Sequence, residues 1–329
     1  MNLSIRDEEV KLITNIESIQ LNHTIVTLGK FDGNHIGHQL LFETAVKRKE
    51  KGDSVVIFTF SVPPAKVIGK DEIQSLRTIQ TQGERKLQHY PDGVDYVIEF
   101  PFNERTRQMS PEAFVKDILV DKLGVKTIVV GEDFRFGKDR AGSVDTLKQM
   151  GVRYGFEVVA LKKVTFYVKD KAEEQEVSST LIKEEIQKGN MEDVRAMLGC
   201  PFAVTGEVLH GKHYGRTIGF PTINLSVPDD KVMPPNGVYA TVVSFDGCYL
   251  PSITNVGIRP TFDDGEQRTV ETNIFDFDED IYGKNVRVDF YKYIRPERKF
   301  ASGQELMEEI QRNVVQVRSY FNETKLFQE

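Results

Sequence analysis

Ile25-Val26-Thr27-Leu28-Gly29-Lys30-Phe31-Asp32-Gly33-Asn34-His35-Ile36-Gly37-His38 is the stretch on which the fold of the first half turns. Ile25 to Leu28 reads as a short buried strand, and the polar run from His38 to Lys51 reads as a helix. Between them, Gly29, Gly33 and Gly37 allow sharp turns and let a phosphate approach the main chain. The free amides and partial positive charge of a helix amino terminus suit the same ligand. His35 and His38 are three apart, so on a first helical turn their imidazoles point the same way, toward charge building up on a phosphorus. Helix capping, core packing and a metal pair are the plainer readings of two such histidines. Zinc would want a third protein ligand, and no cysteine or further histidine stands nearby.

Outward from this turn, short apolar strands alternate with helical stretches. Strands are expected at Val55 to Phe60, Tyr96 to Glu99, Thr127 to Val130 and Glu157 to Leu161, with a helix over Pro111 to Leu123. That alternation predicts a doubly wound α/β domain with a parallel sheet, whose ligands bind at the carboxyl ends of strands. After Gly199 the pattern changes to strands separated by Gly, Pro, Asn and Asp turns: Ala203 to Leu209, Gly237 to Ser244, Tyr249 to Val256, Thr269 to Ile274 and Val286 to Ile294. An all-β antiparallel barrel or sandwich is expected. It closes with a helix over Ser302 to Tyr320 whose Leu306, Ile310, Val314, Val317 and Phe321 form one apolar face for packing on the sheet. Glu184 to Leu198 reads as helical with a break at Gly189-Asn190, so two domains are expected, 1–186 and 187–329.

Composition narrows the function classes. A charge of −7 gives no basic footprint for nucleic acid, so any phosphate must be held locally. No apolar run approaches the ~20 residues of a membrane span, and Met1 to Glu9 carries no signal-peptide core. Cys200 and Cys248 lack a Cys-x-x-Cys neighbour, which suits a reducing compartment; the cytoplasm is the expected address. Nothing in the sequence sets an oligomeric state.

The turn at Gly29 to His38 resembles the nucleotidyltransferase motif G-x-F-D-G-x-H-x-G-H. Gly131-Glu132-Asp133-Phe134-Arg135-Phe136-Gly137 resembles G-x-[DN]-F-x-F-G, and Ser178-Ser179-Thr180-Leu181-Ile182-Lys183 resembles S-S-T-x-I-R. Together they resemble the adenylyltransferase module of prokaryotic bifunctional riboflavin kinase/FAD synthetases. The resemblance implies that His35 and His38 contact ATP phosphates, and that Gly29, Phe31, Asp32, Gly33, Gly37 and Asp133 shape the nucleotide pocket. It implies that Ser179, Thr180 and Lys183 close on the triphosphate. Two positions depart from the pattern: Ser61-Val62-Pro63 stands in place of a histidine-bearing segment, and Lys183 replaces a forked arginine by a point charge.

In the second half, His210-Gly211-Lys212-His213-Tyr214-Gly215-Arg216 leads through Gly219-Phe220-Pro221 to Thr222-Ile223-Asn224. As residues alone, this is a cationic, glycine-rich loop, equally a nucleotide flap or a solvated connection. It resembles the riboflavin kinase motif G-x-x-x-G-R-x-x-G-F-P-T-A-N, with Ile223 at the alanine position. The resemblance implies that Gly211, Lys212, Gly215 and Arg216 cover the nucleotide and that Thr222 and Asn224 bind the Mg²⁺ of Mg-ATP. Val270-Glu271-Thr272-Asn273 resembles V-E-x-H, implying Glu271 as general base, with Asn273 replacing histidine. Arg295, Glu297 and Phe300 match R-x-E-x-x-F and are implied to border the flavin. ATP, riboflavin and FMN are therefore the expected partners, with flavins as substrates and products. A kinase with a weakened adenylyltransferase module and a flavin binder without turnover are the rival readings. Intact His35, His38 and Glu271 argue against the binder.

Overall fold

The computed structural model describes residues 10–61, 77–86, 88–210, 220–260 and 266–327. The chain divides into two compact units, Met1–Arg77 with Leu87–Ser178, and Thr78–Lys86 with Ser179–Glu329.

In the first unit, β1 (Lys11–Ile13), β2 (Thr24–Leu28), β3 (Ser54–Phe60), β4 (Tyr96–Phe100), β5 (Val125–Gly131) and β6 (Glu157–Leu161) form one sheet. Its order is β1-β4-β3-β2-β5-β6 and every pairing is parallel. The apolar runs of β2, β3 and β5 are buried on both faces, as a parallel sheet covered by helices requires. On one side, helix α1 (Ile36–Lys47) lays Leu41, Phe42 and Ala45 against Ile25, Ile57 and Val129. On the other, Phe114, Val115, Ile118 and Leu119 join Val56, Phe58 and Ile128, with helix α2 (Val144–Tyr154) supplying Leu147. The helix expected over Pro111 to Leu123 instead runs as α-helix over Pro111–Ala113 and as π-helix over Phe114–Val120. Its buried positions are Phe114, Val115, Ile118 and Leu119.

From β2 the chain steps to β3 and β4 on one side, then crosses to β5 on the other. The order of winding therefore reverses between β2 and β5, and a doubly wound sheet binds ligands at the carboxyl ends of such a pair. The loops that leave those ends begin at Gly29 and Gly131.

The second unit opens with helices α3 (Ser179–Lys188) and α4 (Met191–Leu198), separated at the expected Gly189-Asn190 break, where Gly189 has φ +85°. Six antiparallel strands then close into a barrel: β7 (Phe202–Leu209), β8 (Ile223–Ser226), β9 (Gly237–Phe245), β10 (Cys248–Pro260), β11 (Glu266–Ile274) and β12 (Asn285–Pro296), ordered β7-β8-β11-β10-β9-β12. Pairing of β7 with both β8 and β12 closes the ring, which decides for a barrel over a sandwich. Phe202, Tyr239, Val256, Val270 and Phe290 are fully buried beside a run of bonded hydroxyls: Ser252–Thr241 at 2.8 Å, Thr241–Thr254 at 2.7 Å and Thr254–Thr272 at 2.8 Å. Alternation along the strands turns Val238, Ala240 and Val242 outward, where Val317, Tyr320 and Phe321 of helix α5 (Gly303–Glu323) cover them.

The buried positions in the first half of α5 are Glu309 and Asn313 rather than Leu306 and Ile310. Arg295, near the end of β12, explains this: its Nε–H donates to Asn313 Oδ1 at 2.9 Å and lies 3.2 Å from Glu309 Oε1.

Residues Thr78–Lys86 add a strap to the second unit. Thr78 forms a parallel bridge with Lys231, its N–H donating to Asp230 O at 2.7 Å and its carbonyl accepting from Val232 N–H at 2.9 Å. The Lys231 ammonium, 2 % exposed, donates to Glu84 Oε2 at 2.6 Å and to Ile79 O at 2.7 Å. Glu84 also accepts from the backbone N–H groups of Thr81 and, on β7, Thr205.

Candidate functional site

Each unit contains one cluster of the expected residues. In the first, the loop from Gly29 turns through Phe31 (φ +46°), Gly33 (φ +88°) and Asn34 (φ +45°) before His35 opens α1. Only Gly33 among the three motif glycines sits where a side chain would be strained. Gly29 is needed for a different reason: a Cβ there would lie 2.5 Å from the Phe31 ring. A Cβ on Gly37 would meet the His35 imidazole at 3.1 Å. Two of the glycines thus make room for aromatic side chains of their own loop.

Those side chains form one stack. The His35 and His38 rings lie parallel at 3.5 Å, and Phe31 meets His38 edge-on at 5.1 Å. Both Nδ1 atoms are buried without a hydrogen-bond partner, as are Asn34 Oδ1 and Thr27 Oγ1. Burial pushes His35 down to about 4 against the opposing pull of Asp32. Burial, with the neighbouring His35 charge second, holds His38 well below its ordinary value. Two neutral imidazoles with unmet polar atoms are costly unless a ligand completes them. At a sheet's switch point and a helix amino terminus, the ligand such a group fits is an anion.

Asp133 lies in the turn after β5 and pairs at 3.0 Å with Lys163, which also holds Glu176 at 2.6 Å. Ser179, Thr180 and Lys183 form the first turns of α3 in the second unit, with Thr180 exposed and Lys183 half-buried. Of the segment Ser61-Val62-Pro63, Ser61 donates its N–H to Phe100 O at 3.0 Å; Val62 and Pro63 lie outside the described residues.

In the barrel, Asn224 on β8 pairs directly with Glu271 on β11, and on the other side of β11 Glu271 pairs with Asn255 on β10. Directly opposed residues share a face about 5 Å apart, so amide, carboxylate and amide form one row. Asn255 Nδ2–H donates to Glu297 Oε1 at 3.3 Å, which lengthens the row by a second carboxylate. Thr222 lies two residues before Asn224, and Asn273 Nδ2–H donates to Pro221 O at 2.7 Å, tying that approach to β11. Amide, hydroxyl and carboxylate oxygens are the donors a hard cation takes. Among the described residues, no group of three or more His, Cys, Asp or Glu is placed to hold a metal ion. Arg295 is occupied by α5, and Phe300 lies 5.7 Å from its guanidinium. Gly211, Lys212, Gly215 and Arg216 lie outside the described residues.

An FAD synthetase family model matches residues 17–181 and a riboflavin kinase model residues 198–321. The bifunctional riboflavin kinase/FMN adenylyltransferase of Buchnera aphidicola subsp. Schizaphis graminum is 34% identical, with 95% of this chain and 98% of that protein covered. The chain belongs to the bifunctional riboflavin kinase/FMN adenylyltransferase family. Another member, from Bacillus subtilis, is 34% identical over 91% of this chain and 93% of its own. A crystal structure described as a macrolide-efflux protein from Streptococcus pneumoniae superposes with a TM-score of 0.83 at 32% identity, over 94% of this chain and 98% of that one. No helix among the described residues is long and apolar enough to cross a membrane.

The sequence reading missed three features of the second unit: the strap at Thr78–Lys86, the clamp of Arg295 on α5, and Asn255. The first and second depend on contacts between residues far apart in the chain. Asn255 carries a weaker signal, an amide next to Thr254 in a strand that mixes apolar and polar residues.

Proposed function

We propose that this protein phosphorylates riboflavin to FMN in its barrel and adenylylates FMN to FAD in its parallel-sheet domain, with the labour divided between residues 1–186 and 187–329. Relatives bearing both names align over 95% of the chain, so neither half lies outside the match, and this observation carries the assignment. In the first reaction, the riboflavin 5'-hydroxyl attacks the γ-phosphorus of ATP, the bond to the β–γ bridging oxygen breaks, and ADP leaves. Glu271 takes the hydroxyl proton, and Asn224 and Thr222 would hold the Mg²⁺ of Mg-ATP. The ion supplies charge neutralisation on the phosphates. Lys212 and Arg216, with Gly211 and Gly215, cover the nucleotide, and Glu297, with Arg295 and Phe300 behind it, borders the flavin.

In the second reaction, an FMN phosphate oxygen attacks the α-phosphorus of a second ATP and pyrophosphate leaves. His35 and His38 meet the developing charge as donors once a phosphate draws a proton onto them. Gly29, Phe31, Asp32, Gly33 and Gly37 hold their stack, and Asp133 lines the same nucleotide through the Lys163 pair. Two free thiols suit a cytoplasmic address.

Incubation with riboflavin and Mg-ATP, followed by separation of the three flavins over time, tests the reading. The wild type should yield FMN and then FAD. His35→Ala/His38→Ala should stop at FMN, and Glu271→Gln should slow FMN formation by about 10² to 10⁴ while still converting supplied FMN. A folded Glu271→Gln that phosphorylates riboflavin at the wild-type rate removes the base assignment. A wild type that makes no FMN removes the function.

A further inference from the structure

We infer that Asn255 and Gly257 are positioning residues of the barrel site: they seat Glu297 in line with Glu271, where its carboxylate accepts hydroxyl groups of the flavin's ribityl chain. The inference rests on the reading of Glu271 as the base of a riboflavin-phosphorylating site.

The backbone ladder brings Glu297 to this place. Gly237 pairs with Pro296 on one side and with Val256 on the other, and Val238 pairs with Arg295 and with Asn255. Glu297, one residue beyond β12, is therefore delivered across the end of β9 toward β10. There, Asn255 Nδ2–H donates to its Oε1 at 3.3 Å. Gly257, two residues on and on the same face as Asn255, leaves the space the carboxylate fills: a Cβ would stand 2.7 Å from Glu297 Oε1 and 3.3 Å from Asn255 Nδ2. Gly257 is not in the positive-φ region, so the backbone does not demand glycine. What demands it is the carboxylate lying over it.

The result is two carboxylates flanking one amide, Glu271 on one side of Asn255 and Glu297 on the other. Glu297 is exposed, so its remaining lone pairs are open to a ligand. Carboxylates accept hydrogen bonds and donate none, and a chain of neighbouring hydroxyls is the part of riboflavin that offers donors beside its reacting 5'-hydroxyl. An exposed glutamate left to itself loses side-chain entropy when a ligand fixes it; one already held by an amide and a flat glycine loses less. Asn255 and Gly257 therefore act on substrate binding, while Glu271 acts on the chemical step.

Steady-state kinetics of riboflavin phosphorylation, with thermal melts to confirm folding, decide the matter. Asn255→Ala and Glu297→Ala should each raise the riboflavin KM about tenfold, the worth of a hydrogen bond to a charged group. In each, kcat should change by less than about threefold, because uniform binding is lost and not transition-state stabilisation. Adding Asn255→Ala to Glu297→Ala should have no further effect, since one acts only through the other. Gly257→Ala, which expels the carboxylate and leaves Asn255 intact, should reproduce the rise in KM. A wild-type KM in Asn255→Ala and Gly257→Ala overturns the inference, and so do KM effects that multiply in the double variant. If Glu271→Gln is inactive while Asn255→Ala is neutral, this inference alone has failed. If Glu271→Gln is fully active, the reading beneath it has failed.

Discussion

His35 and His38 are held neutral by burial, and this has a consequence for stability. With His35 lowered from 6.5 to about 4, the unfolded chain binds more protons than the folded one throughout that interval. The stability of the first unit should accordingly be full above about 6.5 and fall as pH drops toward about 4, by at most about 3 kcal/mol for this group. His35→Gln has no proton to gain, so denaturant midpoints of the variant should lose the share of that pH dependence due to His35 and keep the share due to His38. An equally steep acid limb in the variant would assign it to other groups. An incoming phosphate reverses the preference toward imidazolium, so ATP binding to this unit should take up protons, visible as calorimetric heats that vary with the buffer. The spacing of the two histidines was legible in the sequence because it follows from one helical turn. The reason for Gly29 and Gly37 was not, because it lies in the bulk of Phe31 and His35 packed back over them.

Strand and helix alternation made both architectures legible, because a sheet buried on two faces and a barrel closed by tight turns leave different periodicities. The weaker reading was at α5, where the apolar stripe Leu306, Ile310, Val314 suggested a wholly hydrophobic seam. Half of that seam is polar, with Arg295 of β12 binding Asn313 and Glu309. A pattern of hydrophobicity cannot show a polar seam, since Glu309 and Asn313 look like solvent positions until the arginine faces them. The clamp joins the last strand to the helix that covers the barrel. Arg295→Ala should therefore leave the buried Asn313 Oδ1 without its donor, while Glu309 keeps Arg312, and cost about 1 to 3 kcal/mol. Arg295→Lys should recover only part of it, because a point charge cannot serve an amide and a carboxylate as a fork does. The midpoint of chemical unfolding, followed by riboflavin phosphorylation, reads both. If Arg295→Ala melts like the wild type and only binds riboflavin less well, the residue serves the substrate and not the helix.

Over the whole molecule, sequence order and structural order part company at residues 78–86. The FAD synthetase model matches across them, yet they belong to the unit that contains the barrel. Local propensity gives no hint of this, since the bonds that decide it join Glu84 and Ile79 to Lys231, about 150 residues on. Lys231 also lies 4.6 Å from the Phe202 ring, so its charge is enclosed by one carboxylate, one carbonyl and an aromatic face. Removing one partner of such a pair leaves the other buried and uncompensated, at a cost of about 3 to 5 kcal/mol, whereas replacing both by apolar groups is often close to neutral. Lys231→Met and Glu84→Leu should each lower the temperature at which riboflavin phosphorylation is lost, by roughly 10 °C for a unit of this size. The double variant should recover most of that loss. Because Glu84 lies in the half of the sequence that carries the adenylyltransferase motifs, the outcome for Glu84→Leu is the discriminating one. Loss of the kinase at lower temperature places the strap energetically in the barrel unit, whereas an unshifted kinase with an earlier loss of FAD synthesis would return residues 78–86 to the first unit.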